Sequence, residues 1–208
     1  MIERIVVVGA GQMGNGIAHV FAAAGHPVTM VDVSRDALAK GRATIEKNLA
    51  RQVQKGAIDA AARDAALARV AVSETFEPVR TADLVVEAAT ENADLKFRIF
   101  ADLDAAAPAP AILATNTSSI SITEIAARTG RPAQVIGMHF MNPVPVMQLV
   151  EVIRGLATSD ATTATVLELS RQLGKTPVEV NDYPGFVSNR VLMPMSNDFL
   201  AFAVVAAQ

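Results

Sequence analysis

The feature that most constrains the fold is an apolar strand that leads through a glycine-rich turn into a helix. Residues 2–8 (IERIVVV) are rich in β-branched side chains, which is typical of a buried parallel strand. Residues 9–14 follow with the pattern G-x-G-x-x-G, and residues 12–24 have apolar side chains at helical spacing until Gly25 ends the helix. A second short strand over 28–33 completes a predicted β-α-β unit.

The same alternation of strands and helices continues along the chain. It predicts an α/β fold in which a doubly wound, mostly parallel sheet forms a Rossmann-type domain over residues 1–183, with a helical arm at about 35–70. We expect further helices over residues 35–55, 59–69, 93–106, 121–128 and 160–173, and further strands over 84–88, 112–115, 135–140, 148–153 and 176–180.

The pattern changes after Tyr183-Pro184-Gly185. Residues 186–207 carry apolar side chains on nearly all sides, and a helix of that kind must be buried. We therefore expect residues 184–208 to contain the first helix of an all-α C-terminal domain that is missing from the chain, with a kink at Pro194. The need to cover this helix predicts self-association through it, as a homodimer or in another assembly. The alternative is that its end beyond Pro194 frays and promotes aggregation.

Composition excludes several classes of protein. The net charge of −3 argues against a nucleic-acid-binding protein. Cysteine is absent and the three histidines show no metal-ligand spacing, so we expect no disulfide and no bound metal. The longest apolar run is residues 199–207, whereas a membrane-spanning helix needs roughly twenty residues. We expect a soluble, cytoplasmic protein.

The glycine motif lies between a strand and a helix, which is the context of a dinucleotide site. Asp32 ends the second strand, where a carboxylate binds the ribose hydroxyls of NAD and repels the 2′-phosphate of NADP. A tight turn without a ligand is the alternative, and FAD sites use a similar motif, but the rest of the chain favours a nicotinamide. The expected cofactor contacts are Gly9, Ala10, Gly11, Gln12, Met13, Gly14 and Asp32.

Polar clusters follow three more of the predicted strands, at residues 87–92, 115–119 and 139–145. Open α/β sheets bind ligands beyond the carboxyl ends of their strands, so the three clusters are expected at one site. Turn chemistry alone explains any single cluster. Three at one edge of a sheet favour a binding site.

His139 is the histidine with the clearest chemical potential. It ends an apolar strand, and imidazole titrates near neutral pH, which suits removal of a proton from an alcohol. Glu151 lies inside the apolar strand 148–153, where a carboxylate is costly unless it is paired. The alternative is a hydrogen-bonded core histidine, but Glu151 favours catalysis. His19 and His26 are predicted to be structural or on the surface.

The segment 35–55 is basic within an acidic chain, with six basic and two acidic residues. Lys40, Lys47, Arg51 and Lys55 share one face of the predicted helix. A solvated face is the ordinary explanation. Beside a dinucleotide site, the stripe also suits a second ligand that carries phosphate, and coenzyme A fits that description.

Five segments of the chain carry a further signal: GAGQMGNGIA, EAATENADLK, ATNTSSISI, GMHFMNPVPVMQLVEVIRG and PGFVSNRV. Together they resemble the short-chain L-3-hydroxyacyl-CoA dehydrogenases, especially the bacterial 3-hydroxybutyryl-CoA dehydrogenases. The resemblance runs from residue 2 to about residue 197, and the block around His139 is its most specific part. It implies oxidation of an L-3-hydroxyacyl-CoA to a 3-oxoacyl-CoA by NAD, or the reverse, in β-oxidation of fatty acids or butanoate metabolism.

The resemblance also implies a role for each matching residue. His139 corresponds to the general base and Glu151 to the acid that orients it, while Ser118 and Asn189 complete the catalytic group. Ser118 is also expected to contact both cofactor and substrate. The nicotinamide half of NAD is expected near Glu91, Lys96, Ser118 and Asn142, and coenzyme A near Asn48 and Lys55.

Two other interpretations stay open from the sequence. One is a β-hydroxyacid dehydrogenase of the 6-phosphogluconate type, which shares the glycine motif but usually relies on a catalytic lysine. The other is an NAD-binding fragment with little turnover, because family members continue into helices that cover the acyl chain and this chain stops at Gln208.

Overall fold

The computed structural model describes residues 2–191, which form one eight-stranded sheet with helices packed on it. Two short 3₁₀ helices, Glu77–Thr81 and Pro132–Gln134, lie between the strands and helices given next. The strands are β1 (Ile5–Val8), β2 (Val28–Val31), β3 (Val70–Ser73), β4 (Leu84–Glu87), β5 (Ile112–Thr115), β6 (Val135–Phe140), β7 (Leu149–Arg154) and β8 (Thr176–Asn181). The helices are α1 (Gln12–Ala23), α2 (Arg35–Gln54), α3 (Ala60–Ala68), α4 (Ala93–Ala106), α5 (Ile122–Ala126) and α6 (Asp160–Gln172).

The strand order is β3-β2-β1-β4-β5-β6-β7-β8. All neighbouring pairs are parallel except β6 and β7, which run antiparallel. The first six strands have the order of a dinucleotide-binding Rossmann fold, in which the order reverses beside β1. This confirms the predicted doubly wound, mostly parallel sheet.

Two apolar cores lie on the two faces of the sheet, as a doubly wound fold requires. Side chains alternate between them along β1: Ile5 and Val7 pack into one core, and Val6 and Val8 pack into the other. Five helices begin at a residue whose side-chain oxygen accepts a backbone N–H three positions on, and these caps explain where the helices start. The capping residues are Ser34, Asp59, Asn92, Ser121 and Ser159.

The structure corrects the sequence-based elements in five places. β1 and β2 are shorter than expected, and the edge strand β3 and the 3₁₀ helix at 77–81 were not predicted. Buried and exposed side chains do not alternate along β3, because the neighbouring Ala71 and Val72 are both exposed. The helix expected from Phe186 begins only at Ser188, since residues 184–187 form a turn.

The remainder of the expected C-terminal helix, 192–208, lies outside the described residues, and with it Pro194 and most of the surface through which self-association is expected. Within the described part of the chain, no helix is long and apolar enough to cross a membrane.

The antiparallel pairing of β6 with β7 fixes the most important neighbours in the sheet. His139 on β6 lies directly opposite Glu151 on β7. The carboxyl ends of β1, β4 and β5 meet at the edge of the sheet to which β6 carries His139. The fold therefore brings the polar clusters that follow these strands to one place.

His19 on α1 belongs to the core instead of to this edge. The residue is 2% exposed; its Nε2 lies 3.4 Å from the Gln52 amide, and its Nδ1 has no hydrogen-bond partner within residues 2–191. Burial, with a smaller contribution from the positive charge of Lys175, lowers the pKa of His19 from 6.5 to about 4. The ring is therefore neutral in the folded protein at pH 7.

This depressed pKa predicts a loss of stability in mild acid. Below pH 6.5 the unfolded chain binds a proton at His19 that the folded chain does not take up until about pH 4, so the folded state loses stability as pH falls through this range. We expect His19 alone to lower the free energy of unfolding by about 2 kcal/mol between pH 7 and pH 5.

Urea unfolding of wild-type protein and His19→Gln at both pH values measures this effect. The difference between the two pH dependences isolates His19, because all other titrating groups are shared. Parallel pH dependences for the two proteins would contradict the prediction.

Candidate active site

The glycine turn is shaped by two of its glycines and left open by the third. Gly9 has φ 104°, and a Cβ there would lie 2.7 Å from the Ala88 carbonyl oxygen. A Cβ on Gly14 would lie 1.8 Å from the carbonyl oxygen of Gly9. A Cβ on Gly11 would meet nothing within 4 Å. Packing of the protein therefore requires Gly9 and Gly14, whereas the space beside Gly11 is free for a ligand to approach the backbone.

Helix α1 begins at this open space without a capping side chain, in contrast to α2–α6. The first N–H groups of a helix have no partner within the helix, and with the helix dipole they favour an anion such as a pyrophosphate. The N–H of Ala10 is already used, because it donates to Asp32 Oδ2 at 2.8 Å. The buried Ala10 and the partly buried Met13 direct their side chains into the core, so only their backbone faces the turn.

Asp32 stands beside the glycine turn at the tip of β2. Its Oδ2 accepts from Ala10 N and its Oδ1 accepts from Ser34 N at 2.9 Å, so two backbone groups fix the carboxylate. Each oxygen keeps a further lone pair for a hydroxyl donor. Val33, which follows, is 94% exposed beside it. The open space, the helix start and this acceptor fit a dinucleotide.

The predicted base and its partner are in hydrogen-bond contact. His139 is 6% exposed; its Nδ1 lies 2.9 Å from Glu151 Oε2, and its Nε2 lies 3.2 Å from Ser118 Oγ. Burial raises the pKa of Glu151, but hydrogen bonds from His139 and Ser188 outweigh it and hold the pKa below its usual value of 4.5. Glu151 is thus a charged partner that favours the Nδ1–H form of His139 and leaves Nε2 to accept a proton.

Asn189 completes this group from the far end of the described chain. Its Nδ2 donates to the carbonyl oxygen of Ser118 at 3.1 Å. The N–H groups of Val187 and Ser188, in the turn and helix start that precede it, donate to Glu151 Oε1 at 3.2 and 2.8 Å. The four residues expected to be catalytic are therefore joined in one hydrogen-bonded network.

Glu91 holds the loop that carries Ser118. Its Oε1 accepts from Thr117 Oγ1, Ser118 N and Ser119 Oγ at 2.6, 2.9 and 3.1 Å. Burial raises the pKa of Glu91, and these hydrogen bonds together with the positive charge of Lys96 lower it to a net value below 4.5. The structure thus shows Glu91 supporting the Ser118 loop, while its expected contact with the cofactor stays a prediction.

Lys96 is less accessible than a cofactor contact requires. The side chain is 1% exposed, and its Nζ lies 2.7 and 3.0 Å from the two oxygens of Glu87 and 3.3 Å from the Ala89 carbonyl oxygen. A buried ammonium of this kind carries no free donor toward the open side of the site. The structure places Lys96 under the 88–91 loop, which it helps to fix, and direct contact of its ammonium with the cofactor is not supported by this geometry.

Glu87 is a residue of the site whose role the sequence analysis missed. It is fully buried at the end of β4 and accepts from Lys96, from Thr115 Oγ1 at 2.7 Å and from Ala89 N at 2.7 Å. The signal was present, since a carboxylate at the end of an apolar strand must be paired, as at Glu151. The partner was not evident, because Lys96 lies on a helix beyond an intervening loop.

A cleft of about 340 Å³ opens beside the glycine turn. Asn48 on α2 lines it together with Asn142, whose Oδ1 accepts from Gln12 Nε2 at 3.2 Å. Lys175 anchors the loop after β6 by donating to the carbonyl oxygens of Val144 and Met147. Lys55 is exposed at the C-terminal end of α2, so the structure places Asn48 in the cleft and leaves Lys55 outside it.

Comparison with known proteins agrees with this geometry. The family described as 3-hydroxyacyl-CoA dehydrogenase, NAD binding domain, matches residues 4–183. A probable 3-hydroxybutyryl-CoA dehydrogenase of Bacillus subtilis is 54% identical over 197 residues, which are 95% of this chain and 69% of that protein. A fatty acid oxidation complex subunit alpha of Acinetobacter baylyi is 42% identical over 198 residues, 95% of this chain but 28% of that protein.

Solved structures show the same relationship. The crystal structure of the (S)-3-hydroxybutyryl-CoA dehydrogenase of Ralstonia eutropha superposes with a TM-score of 0.95 at 50% identity, over 100% of this chain and 72% of that one. A prephenate dehydrogenase from A. aeolicus, at 13% identity and a TM-score of 0.61, shares the fold alone.

The position of Asp32 predicts a preference for NADH over NADPH. A 2′-phosphate beside a carboxylate fixed by two backbone N–H groups costs on the order of 1–3 kcal/mol, or roughly 5- to 150-fold in the dissociation constant. Arg35, the next cationic residue, offsets part of this cost. Calorimetric titration with each nucleotide measures the ratio of the two dissociation constants.

Asp32→Ser should narrow that ratio and weaken binding of NADH, because the Ala10 N–H loses its acceptor. Asp36→Ser, which removes an exposed acid from the first turn of α2, is the matched control and should leave the ratio unchanged. Equal dissociation constants of NADH and NADPH for the wild-type protein would contradict this assignment.

Proposed function

The chain belongs to the 3-hydroxyacyl-CoA dehydrogenase family, and from this premise we propose which of its residues carry the NAD-dependent reaction and on which substrate. Its activity is the reversible oxidation of an L-3-hydroxyacyl-CoA to a 3-oxoacyl-CoA. The preferred substrate is short, with 3-hydroxybutyryl-CoA foremost, as the names of the 50–54% identical relatives suggest. The observation that carries the residue assignment is the paired His139 and Glu151 beside the dinucleotide turn.

His139 acts as the general base in this proposal. Its Nδ1–H donates to Glu151, which leaves Nε2 to accept the proton of the substrate hydroxyl. The imidazolium that results is stabilised by the charged Glu151 at 2.9 Å. In the reverse direction the same atom returns the proton to the oxygen of the 3-oxo group.

Ser118 and Asn189 orient the substrate oxygen. Ser118 Oγ lies 3.2 Å from His139 Nε2, so a substrate hydroxyl that lies beside the pair, forming a triangle with the two atoms, can reach both at hydrogen-bond distance. Asn189 holds the Ser118 backbone from the other side. When bound, NAD supplies the acceptor for the hydride on the carbinol carbon, so one proton and one hydride leave the alcohol.

The two halves of the substrate are held by different elements. We assign the pantetheine arm to the cleft beside Asn48 and Asn142, and the phosphates of coenzyme A to the basic face of α2 that ends at Lys55. Exposed cations attract phosphate at long range but contribute little each.

The 6-phosphogluconate-type alternative is not supported. Lys96, which lies 3.6 Å from the Glu91 carboxylate behind the Ser118 loop, is bound to Glu87 beneath the site. The comparisons, which match 3-hydroxybutyryl-CoA dehydrogenases, do not favour an NAD-binding fragment over the dehydrogenase.

The broader organisation is also a proposal. We assign residues 1–183 to the NAD-binding domain, which the match to residues 4–183 supports, and residues from 184 to a helical part that covers the substrate. We further propose a cytoplasmic homodimer that pairs through the apolar segment 186–207, on the basis of its sequence.

We expect His139→Ala to lower turnover of acetoacetyl-CoA with NADH by about 10²–10⁴-fold, because it removes the base. Glu151→Gln should cost less, because it removes charge and orientation but leaves the imidazole. Absorbance at 340 nm measures both, and the dissociation constant for NADH should stay within about twofold. His26→Ala is the control, and it should keep wild-type turnover. Full activity of His139→Ala would refute the assigned mechanism.

We expect Lys55→Glu to raise the Michaelis constant for acetoacetyl-CoA several-fold, because exposed charge pairs contribute about 0–1 kcal/mol each. A short thioester that lacks the nucleotide should be unaffected. The effect should shrink with added salt, since exposed charges are screened over about 8–10 Å. Arg80→Glu, an exposed charge reversal in the 77–81 helix before β4, is the control. An equal rise in the Michaelis constants of both substrates would show that the basic face of α2 is only a solvated surface.

A further inference from the structure

Residues 182–189, which we call the brace, connect β8 to the helix start that carries Asn189. At one end of the brace the Asp182 carboxylate accepts three hydrogen bonds from the start of α5. The donors are Ser121 Oγ at 2.7 Å, Ile122 N at 3.1 Å and Thr123 N at 2.8 Å. Because α5 follows the Ser118 loop directly, Asp182 fixes the brace to the end of that loop.

The other end of the brace is fixed to the Glu151 carboxylate and to the backbone of Ser118. Val187 N and Ser188 N donate to Glu151, the partner of His139, and Asn189 Nδ2 donates to the Ser118 carbonyl oxygen. The brace therefore ties together two parts of the catalytic network that come from different strands. A change in its path would move Asn189 and Glu151 at the same time.

The middle of the brace carries a strained residue. Phe186 has φ 47°, and it is the one non-glycine residue with a positive φ among residues 2–191. It is 2% exposed, and its ring centroid lies 6.0 Å from that of His139. A bulky residue keeps such a conformation only where its surroundings impose it, and strain of this kind clusters at functional sites. The fixed ends of the brace impose it here.

We propose that Asp182 is a positioning residue of the dehydrogenase reaction, acting through the brace on Glu151, His139 and Asn189. This inference rests on the proposed function. Asp182 touches no reacting atom. The three donors converge on a carboxylate, which has two acceptor oxygens, whereas an amide has one and would turn an NH₂ group toward the donors. Replacing the carboxylate by an amide therefore loosens the brace with little change in volume.

Asp182→Asn tests this inference against Asp104→Asn. Asp104 is a matched control, since its carboxylate also joins two elements, by accepting from Gly130 N and Arg131 Nε, both at 2.6 Å, and it lies before β5 and β6 at the opposite edge of the sheet. We expect Asp182→Asn to speed amide hydrogen exchange about tenfold or more in both 117–123 and 183–189. The control should leave both segments unchanged.

Turnover supplies the second measurement. A small misplacement of catalytic groups costs up to about 100-fold in rate. We expect kcat with acetoacetyl-CoA and NADH to fall about 10- to 100-fold in Asp182→Asn, with the Michaelis constant for NADH within about twofold of the wild-type value. Asp104→Asn should keep the wild-type kcat at an equal or larger loss of thermal stability. A kcat for Asp182→Asn equal to that of Asp104→Asn would overturn the proposal.

A second pair of variants keeps the test decisive if Asp182→Asn does not fold. Ser121→Ala removes one donor to Asp182 together with the cap of α5, and Ser159→Ala removes the corresponding cap of α6 away from the brace. We expect a several-fold lower kcat in Ser121→Ala only. Equal kcat values in the two variants would overturn the proposal.

The imidazole nitrogen signals of His139 in ¹⁵N NMR separate this inference from the proposed function. A wild-type protein without dehydrogenase activity would refute the proposed function, and the NMR comparison would then decide the inference. We expect the His139 signals to move in Asp182→Asn, or in Ser121→Ala if that variant replaces it, and to stay in the corresponding control. Unchanged signals would overturn the positioning role.

Discussion

The structure depends above all on the rule that a carboxylate buried in a sheet must be paired. Two strands carry one: Glu87 ends β4 and Glu151 lies within β7. Removing one partner of such a pair typically costs about 3–5 kcal/mol, so the rest of the fold must hold both partners in place. For Glu87 the partner is the ammonium of Lys96, which locks the loop beside the glycine turn. For Glu151 it is an imidazole that can take up and release a proton.

Because their partners differ, the Glu87 pair only supports the structure, whereas the Glu151 pair keeps a group that can exchange a proton. The ammonium of Lys96 meets both oxygens of Glu87 and the carbonyl oxygen of Ala89, and this leaves its charge no further role. His139 uses only Nδ1 on Glu151, so Nε2 remains at the edge of the site. The register of one antiparallel strand pair decides this outcome, because a shift of one residue would point Glu151 to the opposite face of the sheet.

Sequence patterns predicted the parts of this structure that depend on neighbours along the chain. The glycine turn, the capped helices and the doubly wound sheet follow from local periodicity and from residues such as Asp59 and Asn92 at helix starts. The pairing of His139 with Glu151 was predictable because a glutamate inside an apolar strand demands a partner. β3 was missed because this exposed edge strand of four residues lacks the alternation of apolar and polar side chains that marks a strand.

Interactions between segments far apart in the chain could not be predicted from the sequence. No local pattern shows that Asp182 accepts hydrogen bonds from the start of α5 or that Phe186 takes a left-handed conformation. The same holds for Lys96, which the family resemblance assigned to the cofactor while the structure buries its ammonium against Glu87. Each of these outcomes is set by three-dimensional packing of residues far apart in sequence.

Ser118 shows how closely the resulting site is interlocked. Its N–H donates to Glu91, its carbonyl oxygen accepts from Asn189, and its hydroxyl meets His139. Both backbone groups are therefore occupied by the scaffold, and only the hydroxyl, which can rotate, is left to respond to a substrate. Loops that follow β4 and β5, the strand β6 and the helix start after β8 thus meet at one residue. In the proposed reaction, this rigidity of the Ser118 backbone would let a single rotatable hydroxyl hold the substrate oxygen beside Nε2 of His139.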